Sequence, residues 1–138
     1  MSVVKGERGE TKLAVVDRAE DLAGYTLKIA TNENHFPKRY RWCFTGKMCD
    51  AVLEFNQLVH EANAIYARTK DEMKVRLQIE MRAIAKLSGL ESYVNVAPKI
   101  YDVSLQNLEN WLNKISYEKT LLIKWRESDI HKLDVLPD

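Results

Sequence analysis

FTGKMCDAVLEFNQLVHEANAIYAR, residues 44–68, carries apolar side chains at Phe44, Met48, Ala51, Val52, Phe55, Leu58, Val59 and Ala62, with Ile65 or Tyr66 next. Steps of three and four residues put these on one stripe of an α-helix. Lys47, Asp50, Glu54, Gln57 and Glu61 fall on the opposite face. An amphipathic helix of this kind must bury its stripe against other elements.

The same period recurs on both sides. Val15, Val16, Ala19, Leu22, Ala23, Leu27 and Ala30 predict a first helix, with Asp17, Glu20 and Asp21 in its early turns. Thr31-Asn32-Glu33-Asn34 and Pro37 end it. Gly24 within that period either permits a close helix crossing or is simply tolerated. Thr69 followed by Glu72 is a capping-box pattern that opens a third helix through Met73, Leu77, Met81, Ile84 and Leu87, expected to stop at Ser88-Gly89. A fourth helix is expected from Val96-Ala97-Pro98, carrying Ile100, Tyr101, Leu105, Leu108, Trp111, Leu112 and Ile115 and continuing through Leu121, Leu122 and Trp125.

The expected fold is therefore all-α, an antiparallel up-down-up-down four-helix bundle over residues 14–127. Residues 1–13 are expected to be a flexible N-terminal segment and 128–138 a flexible tail. Met73, Val75, Leu77, Ile79 and Met81 make the third helix more apolar than one core seam requires, which points to a contact with another subunit.

At 138 residues the chain is one domain's worth, and 46% hydrophobic and 30% charged residues exclude low-complexity and collagen-like classes. Twenty-one Lys and Arg against 20 Asp and Glu leave +1, so attraction for nucleic acid has to come from a local patch. Cys43 and Cys49 are too few and wrongly spaced for a disulfide framework, CxxC redox or zinc chemistry. The charged N-terminus and the lack of a long uncharged apolar run predict a cytoplasmic protein without a membrane segment.

Enzyme chemistry has little to build on. His35, His60 and His131 stand in separate segments, no glycine-rich phosphate loop occurs, and Glu54 and Glu61 read as a solvated helix face. The expectation is a protein with no catalytic residues, no metal and no cofactor.

Charge placement is more informative. Between His35 and Lys47 stand Lys38, Arg39, Arg41 and Lys47 with no acid, interleaved with Phe36, Tyr40, Trp42 and Phe44. Bases with rings between them suit phosphates and stacked bases. The alternative is that Phe36, Trp42 and Phe44 anchor the connection while the cations keep it wet. From Arg68 to Lys86 six bases meet three acids, and Lys70, Lys74 and Arg82 form a candidate rail along the third helix, with Arg76 pointing elsewhere. The predicted nucleic-acid contacts are thus Lys38, Arg39, Arg41, Lys47, Lys70, Lys74 and Arg82.

Phe36-Pro37-Lys38-Arg39-Tyr40-Arg41, the following helix ending Glu61-Ala62-Asn63, and Trp111 in the last helix resemble a small four-helix-bundle family over roughly residues 14–116. That family includes the accessory variability determinant of diversity-generating retroelements and the proteins encoded in ribosomal-RNA intervening sequences. The resemblance implies a homopentameric barrel without catalytic activity that contacts RNA and a reverse transcriptase. Lys38, Arg39 and Arg41 would match the family's basic motif. Glu109-Asn110 stand where the family commonly has a glycine pair.

Overall fold

The computed structural model describes the backbone from Ser2 to Asp138 and the side chains from Thr11 onward. Four α-helices, α1 (Ser2–Ala30), α2 (Gly46–Ala64), α3 (Lys70–Ile100) and α4 (Leu105–Leu133), make up the fold. There is no strand among the described residues. Each helix packs on its sequence neighbours and α1 closes the ring against α4. The chain reverses at each connection, two of them short and the α1–α2 one 15 residues long, giving the expected bundle.

The stripes form the core. Val15, Ala19, Leu22 and Ala23 of α1 meet Met48, Val52, Phe55 and Val59 of α2, Leu87, Leu90 and Val94 of α3, and Trp111, Ile115 and Leu122 of α4, all buried. The indole N–H of buried Trp111 donates to the Thr26 hydroxyl at 3.0 Å, so its polar atom is satisfied. Gly24 is exposed, and a Cβ there would meet nothing within 4 Å. It is tolerated, and no helix crossing depends on it.

Helix boundaries depart from expectation in three places, each with a cause. α2 stops at Ala64 and not Arg68, because the Ile65 carbonyl accepts from the Arg76 guanidinium at 2.9 Å and the chain turns extended there. The capping box then opens α3 as expected. Glu72 N–H donates to Thr69 Oγ1 at 3.2 Å, and Thr69 N–H donates to Glu72 Oε1 at 3.0 Å. α3 does not stop at Gly89. Leu87, Leu90, Val94 and Ala97 continue its buried stripe to Ile100, so segment 93–98 is helical and Pro98 sits in the last turn. The fourth helix consequently begins at Leu105, capped by Ser104, whose hydroxyl accepts from Asn107 N–H at 3.1 Å.

The ends differ too. Part of the expected flexible segment 1–13 lies outside the described residues, while the backbone from Ser2 belongs to α1. α4 runs past Glu127 to Leu133, and the residues after it fold back: Lys70 N–H donates to the Pro137 carbonyl at 2.8 Å. The extension of α4 carries Asp129, a buried acid on the helix's inner face.

Asp129 takes a two-pronged grip from Arg76, Nε to Oδ2 at 3.0 Å and Nη2 to Oδ1 at 2.6 Å. Arginine's planar fork suits this geometry. Glu80 is buried beside the pair, its Oε2 4.0 Å from Arg76 Nε, too long for a hydrogen bond. Burial first, then the neighbouring Asp129 carboxylate, pushes the Glu80 carboxyl far above its ordinary range, so it is held protonated.

Glu118 is the third buried acid, fully enclosed on α4 with neither carboxylate oxygen hydrogen-bonded. Burial pushes it up to about 8, opposed by the charge of Arg18. The unfolded chain releases this proton near 4.5, so the folded state holds more protons between those values. Stability contributed here is therefore full below about 4.5 and falls as pH rises toward 8. Glu118→Gln should raise the unfolding free energy at neutral pH by about 2–3 kcal/mol and leave it unchanged near pH 4.5. Chemical denaturation across pH measures this. Parallel curves for the two proteins would show that Glu118 is not a buried acid.

Candidate nucleic-acid interface

The α1–α2 connection occupies one end of the bundle. Thr31 and Asn32 close α1: the Thr31 hydroxyl donates to the Leu27 carbonyl at 2.6 Å, and Asn34 N–H donates to Asn32 Oδ1 at 2.9 Å. Phe36 then turns inward to 2% exposure. Its ring centroid lies 6.1 Å from Phe44, 6.0 Å from Tyr101 and 6.5 Å from Trp111. Phe44 in turn meets Tyr93 edge-on at 6.0 Å. Two tyrosines tie the neighbouring chain ends to this cluster, Tyr101 Oη donating to the Asn34 carbonyl at 3.0 Å and Tyr40 Oη to the Ile100 carbonyl at 3.3 Å.

Between the two buried phenylalanines the chain makes a 3-10 turn, Lys38–Tyr40, and a π turn, Arg41–Thr45. Gly46 makes the second possible. Its N–H donates to the Arg41 carbonyl, five residues back, and a Cβ at this position would stand 2.6 Å from that oxygen. The inserted residue of a π turn shifts the helical register, so Phe44 and Thr45 face in while Arg41, Trp42 and Cys43 face out.

Trp42 is 90% exposed. Arg39 and Arg41 beside it are exposed, as is Lys47 in the first turn of α2. Lys38 is paired with Glu33 at 3.3 Å across the surface, and the Arg39 guanidinium lies over the Tyr40 ring at 5.0 Å. Among the described residues no carboxylate comes within 4.0 Å of Arg39, Arg41 or Lys47. Of the two sequence readings of this segment, Phe36 and Phe44 follow the anchoring one and Trp42 the exposed one.

The seven expected contact residues do not form one surface. Lys70 and Lys74 open α3 at the other end of the bundle, about 28 Å away along the 19 residues of α2. Lys70 also pairs with Asp138 at 3.6 Å. Arg82 lines a groove of about 750 Å³ between α2 and α3, together with Lys47, Asp50, Glu54, Glu61 and Lys86. That groove is mixed in charge, and Lys86 grips Glu54 at 2.6 Å across it. Lys47 alone belongs to both the groove and the basic corner.

Other titratable groups stay dispersed. His60 faces Glu20 at 3.1 Å on the surface, and no three His, Cys, Asp or Glu residues gather as a metal site among the described residues. Burial, then the Asp50 charge, pushes the half-buried Cys49 thiol up. Glu80, Glu118 and Asp129 are the groups the sequence reading passed over, and Arg76, the partner of Asp129, was read only as pointing away from the rail. Their signal was present in the spacing, since 118, 122, 125 and 129 continue the α4 core stripe with two acids on it.

No family model, curated protein or solved structure matches the chain. Among the described residues no helix is long and apolar enough to cross a membrane.

Glycines separate the local roles. Gly46→Ala should cost about 1–3 kcal/mol through the forced shift of the Arg41 carbonyl. Gly89→Ala, exposed in α3 with nothing within 4 Å of the added carbon, should gain up to about 1 kcal/mol. Denaturant titration of both compares them directly. A Gly46→Ala protein as stable as Gly89→Ala would argue against the π turn.

Proposed function

We propose that this chain is a non-enzymatic, self-associating accessory protein that holds nucleic acid, RNA or DNA, at the corner formed by Lys38, Arg39, Arg41 and Lys47. The supporting observation is an exposed Trp42 amid cations, three of which have no carboxylate within 4.0 Å among the described residues. Phosphates released from their counterions supply the affinity, and the fixed turn supplies register. The resemblance of Phe36–Arg41 and Trp111 to the retroelement accessory family extends this to a homopentamer assisting a reverse transcriptase. A cytoplasmic location belongs to the same reading.

In this reading Lys70, Lys74 and Arg82 contribute little, because they lie away from the corner or beside acids. A second reading, a structural or protein-binding oligomer without nucleic-acid activity, is favoured by one feature. Val75, Met81, Ile123 and Ile130 are each about half or more than a third exposed on the outer faces of α3 and α4.

Fluorescence anisotropy of a labelled RNA across a salt series tests the corner. Affinity should fall steeply with salt, and charge reversal at Lys38, Arg39, Arg41 and Lys47 should flatten the slope by about 0.7–0.9 per lost phosphate contact. Reversal at Lys70, Lys74 and Arg82 should change affinity by less than about threefold. Retention that ignores salt, or survives reversal at the corner, contradicts the proposal.

A further inference from the structure

We infer that the corner takes a single strand, with one unpaired base stacked on the face of Trp42. This rests on the nucleic-acid reading above and adds the class of ligand. The chain has three tryptophans, and two of them, Trp111 and Trp125, are buried. The third is turned out by a π turn while the phenylalanines on either side, Phe36 and Phe44, go inward. At 90% exposure it makes no interior contact among the described residues.

Its surroundings select the occupant. A tryptophan that anchors a protein interface sits in an apolar patch rimmed by polar groups. Here the ring's chain neighbours are Arg41 and Cys43, both exposed, with exposed Lys38 and Arg39 one turn earlier. Cations around a bare indole match phosphates around a bare base. A duplex hides its base faces inside the stack and offers the ring little beyond its ends, whereas every base of a single strand presents a π-face. The ring therefore discriminates single strands from duplexes, which the lysines and arginines alone would not.

Tryptophan emission of the full chain, titrated with uridylate and thymidylate oligomers of about 15 nucleotides and with a hairpin duplex of similar phosphate number, reads this directly. Both single strands should quench emission, and the duplex should bind more weakly without quenching. Uridylate favoured over thymidylate would identify RNA as the source of the strand, and the reverse order DNA, stacking being common to both. Trp42→Ala should lower single-strand affinity about tenfold and leave the duplex unchanged, and Trp42→Phe should recover most of the loss.

Equal affinities that Trp42→Ala does not alter, with corner charge reversal still abolishing both, would overturn stacking and leave the nucleic-acid reading standing. Retention of neither ligand at about 50 mM salt would remove both. Trp42→Ala that dissociates the oligomer without changing single-strand affinity would make the ring a subunit contact and overturn the inference.

Discussion

Phe36 is the residue on which the basic end of the molecule hangs. Its ring is enclosed by Phe44, Tyr101 and Trp111, contributed by the α2 entry, the α3–α4 connection and α4. Burying a phenylalanine stabilises by roughly 1.5–3 kcal/mol, and aromatic pairs of this geometry add to that. A connection of 15 residues between α1 and α2 is long for a helix pair and would otherwise be loose. With Phe36 and Phe44 both fixed inside, the turns between them have little freedom, and Trp42 and the cations have defined positions. The basic corner is thus a consequence of core packing.

The other end is held by charge. Arg76 joins three segments, bonding Asp129 on α4 and the Ile65 carbonyl of the α2–α3 connection from its place on α3. A buried pair of this kind adds little net stability over apolar residues of equal size, but removing one partner costs about 3–5 kcal/mol. It fixes where α2 ends and keeps α4 helical to Leu133. One end of the bundle is therefore closed by an ionic lock beneath the surface, while the other is closed by rings and leaves its cations outside.

The helical period was legible in the sequence because the stripes of α1 and α2 are almost purely apolar. Thr69 and Glu72 likewise announced the start of α3. Boundaries failed where a local signal met a stronger tertiary one. Gly89 and Pro98 read as punctuation, yet Leu90, Val94 and Ala97 needed burial and carried α3 through both. Ser128-Asp129-Ile130 looked like a tail because an acid at a core position breaks an apolar count, and only Arg76, 53 residues away, explains it. Of the candidate site, the basic run from Lys38 to Lys47 was visible as composition. The outward turn of Trp42 was not, since it depends on a π register set by the missing Cβ of Gly46. Lys70, Lys74 and Arg82 shared a helix with each other, but Lys70 and Lys74 lie at the other end of the bundle and Arg82 meets the corner only through the mixed-charge groove it shares with Lys47.

Acrylamide quenching of intrinsic tryptophan emission, at protein concentrations where any self-association is complete, tests the central claim most directly. Trp42 at 90% exposure against Trp111 at 0% and Trp125 at 4% predicts one readily quenched component and one shielded component, the first disappearing in Trp42→Phe. A single shielded population, unchanged by Trp42→Phe, would mean that the corner is closed and the account of it wrong.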